Sequence, residues 1–165
     1  MGPAASLRIR PLEPGDDLEA VRALLREYVQ SLGIDIAFQG VEEELAGLPG
    51  EYGSPRGCFL LALSPDGQMA GCCGLRALDN VDYPDACEMK RLYVRPPYRR
   101  LGAGRQLAEA TLDAARLAGY RHLLLDTLSD METARALYTD LGFVEIPPYY
   151  HNPIAGAHYL KAQLY

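Results

Sequence analysis

Two glycines and six basic residues gather in one stretch, Glu88 to Arg105, which reads E-M-K-R-L-Y-V-R-P-P-Y-R-R-L-G-A-G-R. The bases are Lys90, Arg91, Arg95, Arg99, Arg100 and Arg105, and after Glu88 no acid follows until Glu109. The chemistry this suits is the holding of a phosphate or pyrophosphate. The first amides of a helix have no intrahelical acceptor and carry the positive end of its dipole. Gly102 and Gly104, lacking a Cβ, let the backbone approach such an anion closely. Positive charge is therefore expected where the phosphate sits.

The elements that position this turn follow from the pattern around it. Cys87 to Val94 reads as a strand, Arg95 to Leu101 as a loop stopped by proline, and Gly104 to about Leu117 as a helix with Leu107, Ala108, Thr111, Leu112 and Ala115 on one face. Gly119 ends it. The short apolar run Leu123 to Leu125, with Asp126 after it, then suits a strand buried on both faces and parallel to the first, joined by a right-handed crossover. Upstream, Leu7 to Arg10 alternates as a strand, and Asp16 or Asp17 caps a helix with its stripe at Leu18, Val21, Leu25, Tyr28 and Leu32. Val41 to Leu48 is a second helix. Cys58 to Leu63 and Met69 to Leu75 form a hairpin around Ser64-Pro65-Asp66-Gly67. Ser129 and Glu132 form a capping box for a last helix that Gly142 ends, and Phe143 to Glu145 and Ala157 to Leu164 are closing strands. Asp79, Asp82 and Asp85 lie in a polar loop.

The wording Arg99-x-x-Gly102-x-Gly104 after an apolar strand, followed by helix, strand and Leu137-Tyr138-x-x-Leu141-Gly142-Phe143, resembles the GNAT superfamily of acyl-CoA-dependent N-acyltransferases. The resemblance runs from Leu7 to Leu164. It implies one GNAT-like α/β domain over residues 1–165, with a mixed, twisted sheet of six to seven strands flanked by about four helices. It implies acetyl-CoA as co-substrate, no metal, and direct acetyl transfer to a primary amine in a ternary complex. Carried over to the matching positions, Arg99, Arg100, Leu101, Gly102, Ala103, Gly104 and Arg105 bind the pyrophosphate, and the backbone of Leu92, Tyr93 and Val94 pairs with the pantetheine arm where the central strand splays from its parallel neighbour. Tyr138 is the general acid beside the coenzyme sulfur. Glu88 is a general base, or else an ordinary partner of Lys90 or Arg91. The asparagine that the family often has seven residues before the tyrosine is Met131 here, with Thr127, Ser129 or Arg135 as substitutes. Ile34, Phe38, Gln39, Tyr149 and Tyr150 are acceptor-side candidates, and His151 in the last loop is a second candidate for the base or an acceptor contact.

Length and composition fit this reading. A chain of 165 residues with 48% hydrophobic content builds one core. Its net charge of −6 argues for no nucleic acid as partner, and no apolar run or leader argues for no membrane and a cytoplasmic location. Cys58, Cys72, Cys73 and Cys87 lack metal-ligand spacing and read as buried hydrophobes. Dimers are common among proteins of this kind, so a homodimer is an open alternative to a monomer. A dinucleotide fold is disfavoured because a loop separates strand from glycines and Leu107 stands at the third glycine place. A P-loop is excluded for want of G-K-[ST]. The rival from another class is an acyl-CoA sensor without turnover.

Overall fold

The computed structural model describes residues 7–33, 40–99, 101–128, 132–150 and 156–165. Seven strands form one sheet: β1 (Arg8–Pro11), β2 (Cys58–Leu63), β3 (Met69–Leu78), β4 (Ala86–Val94), β5 (His122–Thr127), β6 (Val144–Ile146) and β7 (His158–Gln163). Their spatial order is β1-β2-β3-β4-β5-β7-β6, and every neighbouring pair is antiparallel except β4 with β5. The parallel pair needs a crossover, and the helix α3 (Ala103–Leu117) supplies it.

Each face of the sheet has its own core. On one, Leu107, Ala108, Leu112 and Ala115 of α3 pack on Leu60, Cys73, Leu75, Cys87 and Met89, as the apolar stripe in the sequence requires. The helix α4 (Glu132–Asp140) adds Tyr138 to this side, and Phe143 closes it edge-on to the tyrosine. On the other face, α1 (Leu18–Ser31) brings Val21, Leu24 and Leu25, and α2 (Val41–Ala46) brings Val41 and Leu45, onto Phe59, Leu61, Cys72 and Tyr93.

The helix ends follow local chemistry. Asp17 caps α1, its carboxylate accepting from the amides of Glu19 and Ala20. Asp16 has a different task, a two-pronged pair with Arg10 at 2.7 and 2.9 Å. After α4 the Phe143 amide reaches back to the Tyr138 carbonyl around Gly142, whose φ of +94° only glycine takes easily.

The strand β4 is irregular along both of its edges. Opposite β3 its register runs Cys72 with Tyr93 and then Gly74 with Lys90, so Arg91 and Leu92 together face Cys73 as a bulge. Arg91 takes φ +63° there. On the other edge, the ladder with β5 stops at Glu88 and Leu124, although β4 continues to Val94 and β5 to Thr127. Past that point the two parallel strands part.

Candidate active site

The bulge decides which side chains of β4 share a face. Before it Cys87 and Met89 point toward α3, and after it Leu92 and Val94 do. Glu88, Lys90, Arg91 and Tyr93 therefore lie on the α1–α2 face. Arg91 is buried there and forks onto the Glu44 carboxylate of α2, Nε at 3.0 Å and a terminal nitrogen at 3.1 Å. That pair holds a non-glycine residue in the left-handed region, a conformation that needs such support.

At the near end of the parting strands stands Glu88, 1% exposed. Arg76, its cross-strand neighbour on β3, gives two bonds to Oε1, from Nε at 2.9 Å and from a terminal nitrogen at 2.8 Å. Tyr149 donates its hydroxyl to Oε2 at 2.7 Å. The expectation that Lys90 or Arg91 would pair with this carboxylate is overturned. Lys90 lies beside it along the strand without an ion pair among the described residues, and Arg91 is taken by Glu44. Arg76 extends the network outward to Glu51 at 2.8 Å. It also borders a cavity of about 300 Å³ lined by Glu43, Glu44, Glu51 and Tyr52.

Tyr149, Tyr150 and Tyr159 form a three-ring cluster with centroids 5.4 to 5.8 Å apart. Tyr150 gives its hydroxyl to Asp126 on β5 at 2.6 Å and turns its ring toward the Lys90 ammonium, 5.9 Å from the centroid. Burial, and then Glu88, push the Tyr149 phenol well above its usual range; burial and Asp126 do the same for Tyr150. Both stay protonated as donors.

On the opposite side of the parting strands is Tyr138, 8% exposed. Burial pushes its phenol up, and the charges that act on it belong to Cys73, Tyr28 and Asp126, on three different elements. Among the described residues its hydroxyl makes no hydrogen bond. The same dry surroundings push the Cys73 thiol up to about 12.

The glycine turn lies where the sequence puts it. Gly102 sits at φ +78° ahead of α3, with no side chain capping the helix and no acid in its first turn. The first helical bond runs from the Gln106 amide to the Gly102 carbonyl at 3.0 Å, so the amides of Ala103, Gly104 and Arg105 precede the ladder. Arg99 Nε donates to the Val94 carbonyl at 2.9 Å, and its guanidinium lies 5.9 Å from the Tyr93 ring centroid.

The basic cluster is otherwise dispersed, which corrects the expectation that all six bases surround one phosphate. Lys90 and Arg91 belong to the α1–α2 face. Arg95 is held by Glu27 of α1 at 2.7 and 3.0 Å, and Arg105 by Asp140 of α4 at 2.8 Å. Arg100, Ile34, Phe38, Gln39, Ser129, Met131 and His151 lie outside the described residues. Arg135 is exposed, 4.0 Å from Glu145. Asp79 pairs with Arg56 and Asp85 with Arg121, away from the site. The sequence reading missed Arg76 and Asp126. Each left a signal: a guanidinium inside an otherwise uncharged strand, and a carboxylate at the end of three leucines.

All four cysteines are free thiols, with Cys72, Cys73 and Cys87 buried and Cys58 half-buried. Among the described residues no group of His, Cys, Asp and Glu could hold a metal ion, and no helix is long and apolar enough to cross a membrane.

Comparison with known proteins gives a consistent result. Residues 19–143 match the Acetyltransferase (GNAT) family. An uncharacterized N-acetyltransferase of Schizosaccharomyces pombe is 36% identical over 160 residues, spanning 97% of this chain and 96% of its own length. One from Dictyostelium discoideum is 28% identical over 201 residues, spanning 88% and 93%. Among solved structures, a GNAT-family acetyltransferase from Staphylococcus aureus superposes with a TM-score of 0.75 at 20% identity, covering 96% of this chain and 99% of that one. The Salmonella typhimurium protein yncA, solved with its cofactor acetyl-CoA, gives 0.70 at 18% identity, covering 96% and 94%. These two share the fold.

Proposed function

The chain belongs to the GNAT acetyltransferase family, and from that premise we propose that it moves the acetyl group of acetyl-CoA directly onto an acceptor amine, with both substrates held at the gap between β4 and β5. The observation that carries this reading is the early end of the β4–β5 ladder beside an uncapped helix start. An open strand edge accepts an extended chain by main-chain hydrogen bonds. Leu92, Tyr93 and Val94 supply that edge to the pantetheine arm. The amides from Leu101 to Arg105, with Arg99 and Arg100, receive the pyrophosphate.

The two faces then divide the work. Glu88 takes the proton of the acceptor ammonium, directly or through a water, and the freed amine attacks the thioester carbonyl. As the new N–C bond forms the C–S bond breaks, Tyr138 gives its proton to the departing sulfur, and the second proton that the nitrogen sheds in becoming an amide restores the phenol, directly or through water. A phenol with a raised pKa is a weak acid in water. A thiolate departing where water is excluded is itself a strong base, which lets such a phenol protonate it. Tyr149 and Arg76 fix the Glu88 carboxylate in place. The free thiols support a reducing, cytoplasmic setting.

The test is coenzyme A thiol release from acetyl-CoA across amines, amino acids, polyamines and peptides. Release that depends on an acceptor supports the reading. Tight acetyl-CoA binding with no release for any acceptor overturns it in favour of a sensor.

A further inference from the structure

We propose that the acceptor is a small zwitterion, an amino acid whose carboxylate is held by Lys90 while its ammonium group is received between Glu88 and Asp126. This rests on the acetyltransferase reading above and names the substrate class of that site.

The register of the sheet sets the two charges in place. Continuing the β4–β5 ladder two residues beyond Glu88 and Leu124 would set Lys90 opposite Asp126. Opposite charges directly across a ladder attract and pair. The parting of the strands prevents that, leaving a cation on one lip of the gap and an anion on the other, both on the α1–α2 face. Tyr150 bridges them, its hydroxyl on Asp126 and its ring toward Lys90.

Lys90 is the unusual member. It is 9% exposed, yet among the described residues no carboxylate lies within ion-pair distance of its ammonium. The acids near it each have another partner: Glu88 has Arg76 and Tyr149, Asp126 has Tyr150, and Glu44 has Arg91. Glu88 and Asp126 act on this ammonium only through space, and a buried cation in no direct ion pair is costly, so the fold leaves it room for a negative group. Desolvation lowers the lysine pKa, a penalty that an incoming carboxylate would offset.

Chain chemistry then selects among amines. A polyamine would bring more positive charge against Lys90. A simple alkylamine would leave the lysine unpaired. An amino acid answers both lips of the gap at once, anion to Lys90 and cation to the two carboxylates, with its side chain toward the rings of Tyr149, Tyr150 and Tyr159.

The experiment measures acetyl-CoA thiol release for α-amino acids, each beside its carboxamide and its decarboxylated amine. The wild type is expected to favour the carboxylate-bearing member by at least about tenfold in kcat/KM, the worth of one charge-assisted contact. In Lys90→Met that ratio should fall toward one. Being a ratio, it does not depend on how much of the variant folds. Equal kcat/KM for acid and carboxamide in the wild type overturns the proposal, as does a ratio that Lys90→Met leaves intact. If acetyl-CoA binds but no acceptor is turned over, it is the transfer reading that fails. Calorimetric binding of the same acids and carboxamides to the protein with coenzyme A then decides this proposal alone: selective binding of the acids, lost in Lys90→Met, supports it, and its absence refutes it.

Discussion

Gly104→Ala separates what the glycine turn does for folding from what it does for a ligand. Gly104 is the second residue of α3, and a Cβ built there meets no atom within 4 Å. Its φ is not in the left-handed range, so alanine can take the same backbone. An alanine within a helix is worth about 0.5–1 kcal/mol over glycine, and the first turn should return the lower part of that range. In a chain of 165 residues that raises the melting temperature by about 1–2 °C. Acetyl-CoA affinity should move the other way. A methyl group at the helix mouth keeps a pyrophosphate oxygen from one amide, and a hydrogen bond to a charged group is worth about 1.5–3 kcal/mol, or roughly 10- to 100-fold in Kd. Calorimetric melting of the protein alone and titration with acetyl-CoA read the two effects separately. A variant that melts higher yet binds acetyl-CoA as tightly as wild type would refute a close approach of the pyrophosphate at Gly104. Gly102→Ala cannot separate them, because φ +78° would cost an alanine about 1–2 kcal/mol on its own.

Other perturbations probe the acid, the first helix, the Asp16 pair and the thiols. Tyr138→Phe should lower kcat by about 10²- to 10⁴-fold with acetyl-CoA affinity and melting temperature near wild type, since general acid catalysis has that worth and the hydroxyl makes no described bond; unchanged kcat would remove Tyr138 from the mechanism. Asp17→Ala should cost about 1 kcal/mol in chemical denaturation by uncapping α1, and a loss under a few tenths would contradict the cap. The hydrogen bond from Arg10, then that from the Glu13 amide, holds Asp16 at about 2. The folded value lies below the unfolded one, so its contribution, about 1 kcal/mol after screening, is present above the ordinary carboxylate range and lost as pH falls toward about 2. The stability gap between wild type and Asp16→Asn should therefore close over that window, and a gap independent of pH would refute the pairing. A thiol reagent should label Cys58 alone in the native protein, with Cys72, Cys73 and Cys87 reacting only on unfolding, because burial lifts all three and hides them.

What the sequence determined by itself was local. Apolar runs set β2 and β3, three- and four-residue spacing set the stripe of α3, and an aspartate, two glycines and a turn tetrapeptide set where elements begin and end. These depend on residues within a few positions of one another, so their physics is complete in a short window. The glycine turn and the parallel neighbour of the central strand were legible for that reason. The arrangement of charge was not. Arg91 meets Glu44 across 47 residues, Tyr149 meets Glu88 across 61, and Arg95 meets Glu27 across 68. Of bases close together in sequence, Arg91 and Arg95 were thereby turned to Glu44 and Glu27, where the pattern alone suggested one anion site. The bulge at Arg91 shows the cause most directly. One extra residue on β4 reverses the alternation of everything after it, and only a partner strand with a fixed register reveals that the extra residue exists. The same holds for Lys90 and Asp126. Lys90 stands between Glu88 and Arg91 in its strand and Asp126 is the one carboxylate of its own, and it is the place where the two strands part, a property of the sheet and of neither strand, that leaves them on opposite lips of one gap without pairing to each other.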